Sequence, residues 1–360
     1  MRKSIEIINS VIKNDNKRYE LLPKDYTFFK INSLSQLLWQ VVDLALTSEK
    51  VRGQIKSDYY NAIAKETSFA NALETVLTAF DNANIKCCVL KGSIIKNLYP
   101  YTFYRSMGDM DLYVDKKDVN KALKILKGLE YKKDVRSGKD IGLFHQPNVY
   151  IELHYKLISE YEYGANYYND GVFNKCELYD ESKYKNIYKF NINEYYIYMV
   201  MHLLKHYVNN LCGIRMFLDM EIYLNAYEKE LDFTHINEAF KYTAYEDLCI
   251  YFKEFAKKVF SIDLVEEKDK EVGDLVFDSG VYGNVKYSER KNFALAKGNR
   301  FKYYLISFFP PVKTIKAMYY LPNVSFIFIP FCYMYLFINR FIHFGRSFKK
   351  LKRMKKTKKK

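Results

Sequence analysis

The sequence predicts an α+β fold: a sheet-bearing core flanked by a helical N-terminal segment and a helical C-terminal domain. Three observations carry this. Short apolar runs with two-residue alternation cluster between residues 85 and 157, helical periodicity surrounds them on both sides, and glycine or proline punctuates the junctions. A length of 360 residues exceeds what one hydrophobic core usually fills, so one large or two unequal domains are expected.

In chain order, SLSQLLWQVVDLALTSEKV carries Trp39 on an apolar stripe, which assigns residues 1–62 to a helical lead-in. Phe69, Leu73, Val76, Leu77 and Phe80 repeat that periodicity, after which IKCCVLKGS reads as a short strand ending at Gly92. SIIKNLYP is a short helix closed by Pro100, and MDLYV alternates as a half-buried strand does. Val119, Ala122, Leu123 and Leu126 place a helix back over the sheet, and VYIELHYKL is a second alternating strand, giving a core over residues 63–160. YYIYMVMHLLKHYVNNL and IRMFLDMEIYLNAYEKE open a helical domain over 161–300, within which the polar stretch from Glu266 to Arg300 reads as an irregular connection. An aromatic, apolar segment (301–345) and a basic tail (346–360) complete the chain.

Composition narrows the function classes. A hydrophobic fraction of 49% excludes a disordered chain. Of the net charge of +15, eleven positive charges lie between Arg340 and Lys360, leaving a globular body at only +4. A body so weakly basic presents no stripe for nucleic acid, whereas the tail can meet phosphate or anionic lipid. Six cysteines without C-x-x-C spacing indicate neither a zinc site nor a disulfide scaffold. The first residues lack the apolar run of a secretory signal, so a cytoplasmic protein is expected. Residues 317–339 carry no charge, but Pro322 and Pro330 divide them, which favours association with a membrane surface over a span.

The chemistry concentrates in the core. Asp109 and Asp111 at the start of one strand point to the same side, and Glu152 in another strand can add a third carboxylate. Carboxylates on one face suit hard divalent cations that leave positions open for phosphates. Gly92 permits close approach of the backbone to a phosphate, Ser93 adds a hydroxyl, and Lys91 and Arg105 add positive charge. His154 follows Glu152 on the same face, in a supporting or packing role. His202 and His206 share a helix face but lack the glutamate that a zinc metalloprotease places after the first histidine, since Leu203 stands there; they line a cleft or are core histidines. Arg215 and Asp219, four apart, read as a helix-face ion pair.

The run VLKGSIIKNLYPYTFYRSMGDMDLYVDKKDVNKALKIL resembles the uncharacterised nucleotidyltransferase family of the polymerase-β-like superfamily, with its L-K-G strand end, Y-P turn, arginine and G-D-x-D-hydrophobic signature. YIELHY, HLLKH and GIRMFLD extend the resemblance over roughly residues 68–225, with an echo in GVYG at Gly280–Gly283. It implies a palm built on a mixed sheet, with Gly92 and Ser93 holding an NTP, Asp109 and Asp111 binding Mg2+ or Mn2+, and Glu152 as the third carboxylate, metal ligand or base. Many superfamily members have Asp where Glu152 stands, and Tyr155 replaces the family's usual Trp.

The implied activity is NMP transfer to an acceptor that is a small molecule, a polysaccharide intermediate, a protein or an RNA. The alternative is a non-catalytic binding module with a degenerate transferase core, which holds nucleic acid or anionic membrane through its basic C-terminus.

Overall fold

The computed structural model describes residues 1–15, 17–136, 140–145, 149–158, 164–168, 170–243, 245–264, 266–281, 283 and 328–334. At its centre β1 (Cys87–Val89) lies antiparallel to β2 (Met110–Val114), and β2 lies parallel to β5 (Val149–His154). β3 (Lys132–Arg136) and β4 (Asp140–His145) extend this side as antiparallel hairpin strands. On the other side β7 (Ile187–Phe190) runs parallel to β1 and carries β6 (Cys176–Leu178) at the edge, so the order is β3-β4-β5-β2-β1-β7-β6. The mixed sheet and helical flanks are those expected of the nucleotidyltransferase fold.

Helices cover both faces. α3 (Glu49–Asn82), with Phe69, Leu73, Val76 and Phe80, and α5 (Val119–Gly128), with Ala122 and Leu126, pack on one face with Cys87, Val89, Met110, Leu112, Ile151 and Leu153. The alternate residues Cys88, Leu90 and Tyr113 belong to the opposite core. That core is filled by α6 (Ile192–Asn210), α7 (Ile214–Tyr227), α8 (Phe233–Phe240) and α9 (Glu246–Phe260), together with α1 (Arg2–Ile12) and α2 (Pro23–Ile31). β2 is therefore buried at all of its positions rather than at alternate ones, because neither face is left to water. α4 (Gly92–Ile95) is the single turn that leaves β1.

Side-chain caps set two of the helix starts. Asn191 Oδ1 accepts from Glu194 N at 3.0 Å ahead of α6, and Asp232 Oδ1 accepts from Thr234 N and His235 N at 3.0 and 3.1 Å ahead of α8.

Several elements differ from the sequence expectation. α3 runs unbroken across residues 62 and 63, where the lead-in was expected to end; between Ile55 and Phe69 it buries no side chain, so no apolar stripe marks its middle. Residues 35–40 form a 3-10 helix, whose Gln36 Nε2 donates to Ser33 O and Tyr104 O at 3.1 and 2.6 Å. The region from 161 contributes β6 and β7 to the sheet as well as helices. The stretch expected to be irregular from Glu266 contains α10 (Glu267–Phe277), which buries Asp269, Gly273, Val276 and Phe277 along one stripe.

The chain divides into two units, Met1–Val285 and Lys286–Lys360. In the second, residues 328–334 are helical. The rest of the 317–339 segment and the basic tail lie outside the described residues. Among the described residues no helix is long and apolar enough to cross a membrane.

Candidate active site

Register assembles the site. Asp111 and Glu152 are direct partners across the parallel β2–β5 pair, and Tyr113 and His154 are the next pair on the same face. Alternation does the rest: Met110, Leu112, Ile151 and Leu153 point into the α3–α5 core, so Asp111, Glu152 and His154 point the other way. Asp109 immediately precedes β2, and Lys91 joins β1 to α4. Leu90 N donates to Asp111 O at 3.0 Å, which ties the end of β1 to the middle of β2.

Three ligand atoms, one each from Asp111, Glu152 and His154, lie within 4.8 Å of one another. His154, fully buried, donates from Nε2 to Asp111 Oδ1 at 2.8 Å and sits 3.5 Å from Glu152 Oε2. Its Nδ1 lies 3.8 Å from Asp140 Oδ2 and has no hydrogen-bond partner among the described residues. Lys91 Nζ donates to the same Asp111 Oδ1 at 2.5 Å and lies 3.9 Å from Glu152 Oε2. Lys91 carries φ 47° and ψ −123°, a backbone region that side chains other than glycine seldom adopt. Tyr195 Oη steadies it by donating to Lys91 O at 2.7 Å.

The electrostatics follow from this packing. Burial opposes ionisation of Asp111, but the charges and hydrogen bonds of Lys91 and His154 outweigh it and hold the carboxyl well below the usual range. At Asp109 burial first, then the charges of Asp111 and Glu152, push the carboxyl up to about 6, and the weaker pull of Lys91 and His154 does not offset them. Burial would lower Lys91, yet Asp111, Tyr198 and Glu152 raise it, so it stays charged. His154 is raised in spite of its burial by its hydrogen bonds to Asp111 and Glu152. Burial, with Lys91 and His206 nearby, keeps His202 well below its ordinary value and neutral.

These groups open onto a cavity of about 420 Å³ lined by Lys91, Gly92, Arg105, Asp109, Asp111 and Glu152 on the sheet side and by His202 and His206 on α6. The histidines are thus cleft residues, with ring centres 4.6 Å apart. Arg105 reaches the cavity while its Nε donates to Asp219 Oδ1 and Oδ2 at 2.7 and 3.0 Å and its Nη1 donates to Ser106 O at 2.9 Å. Tyr99 Oη also donates to Asp219, at 2.7 Å, so the carboxylate expected to pair along its own helix clamps the turn before β2 instead. Arg215 Nη1 donates to Ser106 O at 3.1 Å.

Ser93 is not brought into the cavity. It is 1% exposed and its hydroxyl faces Met107 Sδ at 3.9 Å, because α4 turns this position toward the core. Gly92 does lie at the cavity wall, where a Cβ would come within 3.0 Å of Met107 Sδ. The sequence reading missed Asp140, Tyr198 and Val281 as lining residues. The GVYG echo was the one available sign of Val281; Asp140 and Tyr198 come from elements that only folding places there.

The donor set fits a hard divalent cation: two carboxylates converge, a third stands beside them, and His154 presents the proton of Nε2 to Asp111 and so orients that ligand.

Residues 28–261, more than half of the chain, match the family described as uncharacterised nucleotidyltransferase, and the chain belongs to that family. The family description implies nucleotidyltransferase activity on an NTP. No curated protein matches the chain.

Proposed function

We propose that this member of the uncharacterised nucleotidyltransferase family moves an NMP from an NTP to an acceptor hydroxyl in the cavity above β1, β2 and β5, with Mg2+ or Mn2+ as cofactor. The observation that supports this most is the register pairing of Asp111 with Glu152 beside Lys91, backed by His154 and flanked by Asp109.

Asp109, Asp111 and Glu152 would hold divalent ions, which would supply Lewis-acid chemistry at the acceptor hydroxyl and the leaving pyrophosphate. In the reaction a bond forms from the acceptor oxygen to the α-phosphorus as the bond to the β-phosphate oxygen breaks, and the acceptor proton passes to a carboxylate of the trio. Lys91 and Arg105 place positive charge at the cavity wall where the triphosphate lies. Gly92 keeps that wall free of a side chain. His154 holds the Asp111 carboxylate in one orientation. Neutral His202 lines the opposite wall with His206 beside it, where acceptor contacts are made.

The test is label transfer from α-phosphate-labelled ATP, GTP, CTP and UTP, with Mg2+ or Mn2+, into separated RNA, protein, lipid and small-molecule fractions of a bacterial lysate. Wild type labels one fraction and Asp111→Asn, shown to be folded by circular dichroism, labels none. Equal labelling by both proteins, or no labelling together with no NTP binding, overturns the proposal.

A further inference from the structure

Lys91 stands where a cation belongs. Its ammonium shares Asp111 Oδ1 with His154 Nε2, and Glu152 Oε2 is 3.9 Å away. A magnesium ion sits about 2.0–2.1 Å from a carboxylate oxygen. An ammonium 2.5 Å from that oxygen and a divalent ion on it are like charges on one atom, so each weakens the hold of the other.

The backbone shows that this placement is enforced. Lys91 holds its left-handed conformation although glycine is its neighbour. Its carbonyl accepts from Ile94 N at 3.0 Å and Ile95 N at 3.2 Å as well as from Tyr195 Oη. Strain of this kind persists only where surrounding contacts over-determine it.

The arrangement also allows the lysine to leave. Its side chain is 20% exposed at the wall of the cavity, on a flexible four-carbon stem. Asp111 keeps the His154 hydrogen bond when the ammonium swings away, so the ligand stays oriented.

We propose that Lys91 is an internal counter-cation that occupies the metal position of the empty-handed enzyme, yields Asp111 to a divalent ion, and turns to the triphosphate of the incoming nucleotide. This rests on the nucleotidyltransferase reading and adds to it: metal and nucleotide bind cooperatively because each removes the obstacle to the other. A triphosphate that takes the ammonium frees Asp111, and a metal that takes Asp111 frees the ammonium. By linkage the enhancement is the same from either side.

The experiment titrates Mn2+ into the full-length protein, reading free ion by electron paramagnetic resonance, with and without an equimolar mixture of the four α,β-methylene nucleoside triphosphates. Wild type binds Mn2+ about tenfold tighter with the analogues than without them, a typical coupling between sites. Lys91→Met binds Mn2+ alone about tenfold tighter than wild type, and the analogues add little further, because the competing charge is gone. Lys91→Gln, checked with Lys91→Met for native circular dichroism, behaves alike, whereas Lys91→Arg keeps the coupling. Unchanged or weaker Mn2+ binding by both neutral variants overturns the counter-cation role while leaving the transferase reading standing. No Mn2+ binding to any protein, with or without the analogues, overturns both.

Discussion

Asp219 offers a quantitative test of how the site is held. Replacing it with alanine removes the acceptor of three hydrogen bonds, two from Arg105 Nε and one from Tyr99 Oη. The side chains of Arg105 and Asp219 are 12% and 9% exposed, so water replaces these bonds only in part. Leaving one partner of a buried ion pair costs about 3–5 kcal/mol. An unsatisfied buried hydroxyl, that of Tyr99, adds about 1–3 kcal/mol. The two losses share one carboxylate and do not add in full, and Arg105 retains Ser106 O, so about 4 kcal/mol is expected in total. With a urea dependence of about 2–3 kcal/mol/M for a unit of this size, the unfolding midpoint falls by about 1.5 M. Urea denaturation followed by circular dichroism reads this directly. The triple variant Asp219→Leu, Arg105→Met, Tyr99→Phe recovers most of the loss, because removing every partner leaves no orphaned charge. A loss below about 1 kcal/mol for Asp219→Ala, or a triple variant no more stable than the single one, refutes the reasoning.

Three further outcomes are expected. In EDTA at pH 7.5, Asp109→Asn is more stable than wild type by about 3 kcal/mol, because a carboxyl raised above its unfolded value disfavours the folded state once it is ionised. The folded protein loses that stability as pH rises from 3.8 through about 6, so melting temperatures of the two proteins converge below pH 3.8; a difference that persists there removes the carboxyl as its cause. His154→Gln lowers metal affinity or label transfer about 10–100-fold, since Asp111 loses its orienting partner, and unaltered transfer shows that His154 only packs. Asp269 lies lower than an ordinary carboxyl because hydrogen bonds from Lys258 and Tyr251 outweigh its burial, so it stabilises α10 above pH 3.8 and that contribution fades as pH falls below it. Asp269→Asn should therefore lower the melting temperature at neutral pH and approach wild type in acid, whereas equal melting temperatures at pH 7 count against the pair.

Local chemistry made much of the core legible. The alternation of β2 and β5 put Asp109 with Asp111, and Glu152 with His154, on one side of their own strands before any fold was known, whereas only the register of the pair brought the two sets together. The glycine after β1 and the apolar spacing of α5 were equally readable. The middle of α3 was not, since a solvated stretch of helix carries no stripe, and α10 was hidden by its acids and lysines. β6 and β7 are too short for their alternation to stand out, and only pairing with β1 makes them strands.

The sequence by itself determined which residue types carry the chemistry and which of them share a strand face, for both follow from composition and local periodicity. Tertiary structure decided their partners. It set Arg105 on Asp219 across 114 positions, turned Ser93 into the core, brought His202 and His206 over the sheet, and put the ammonium of Lys91 on Asp111. Contacts between distant segments depend on how whole helices and strands pack, and no local pattern encodes that.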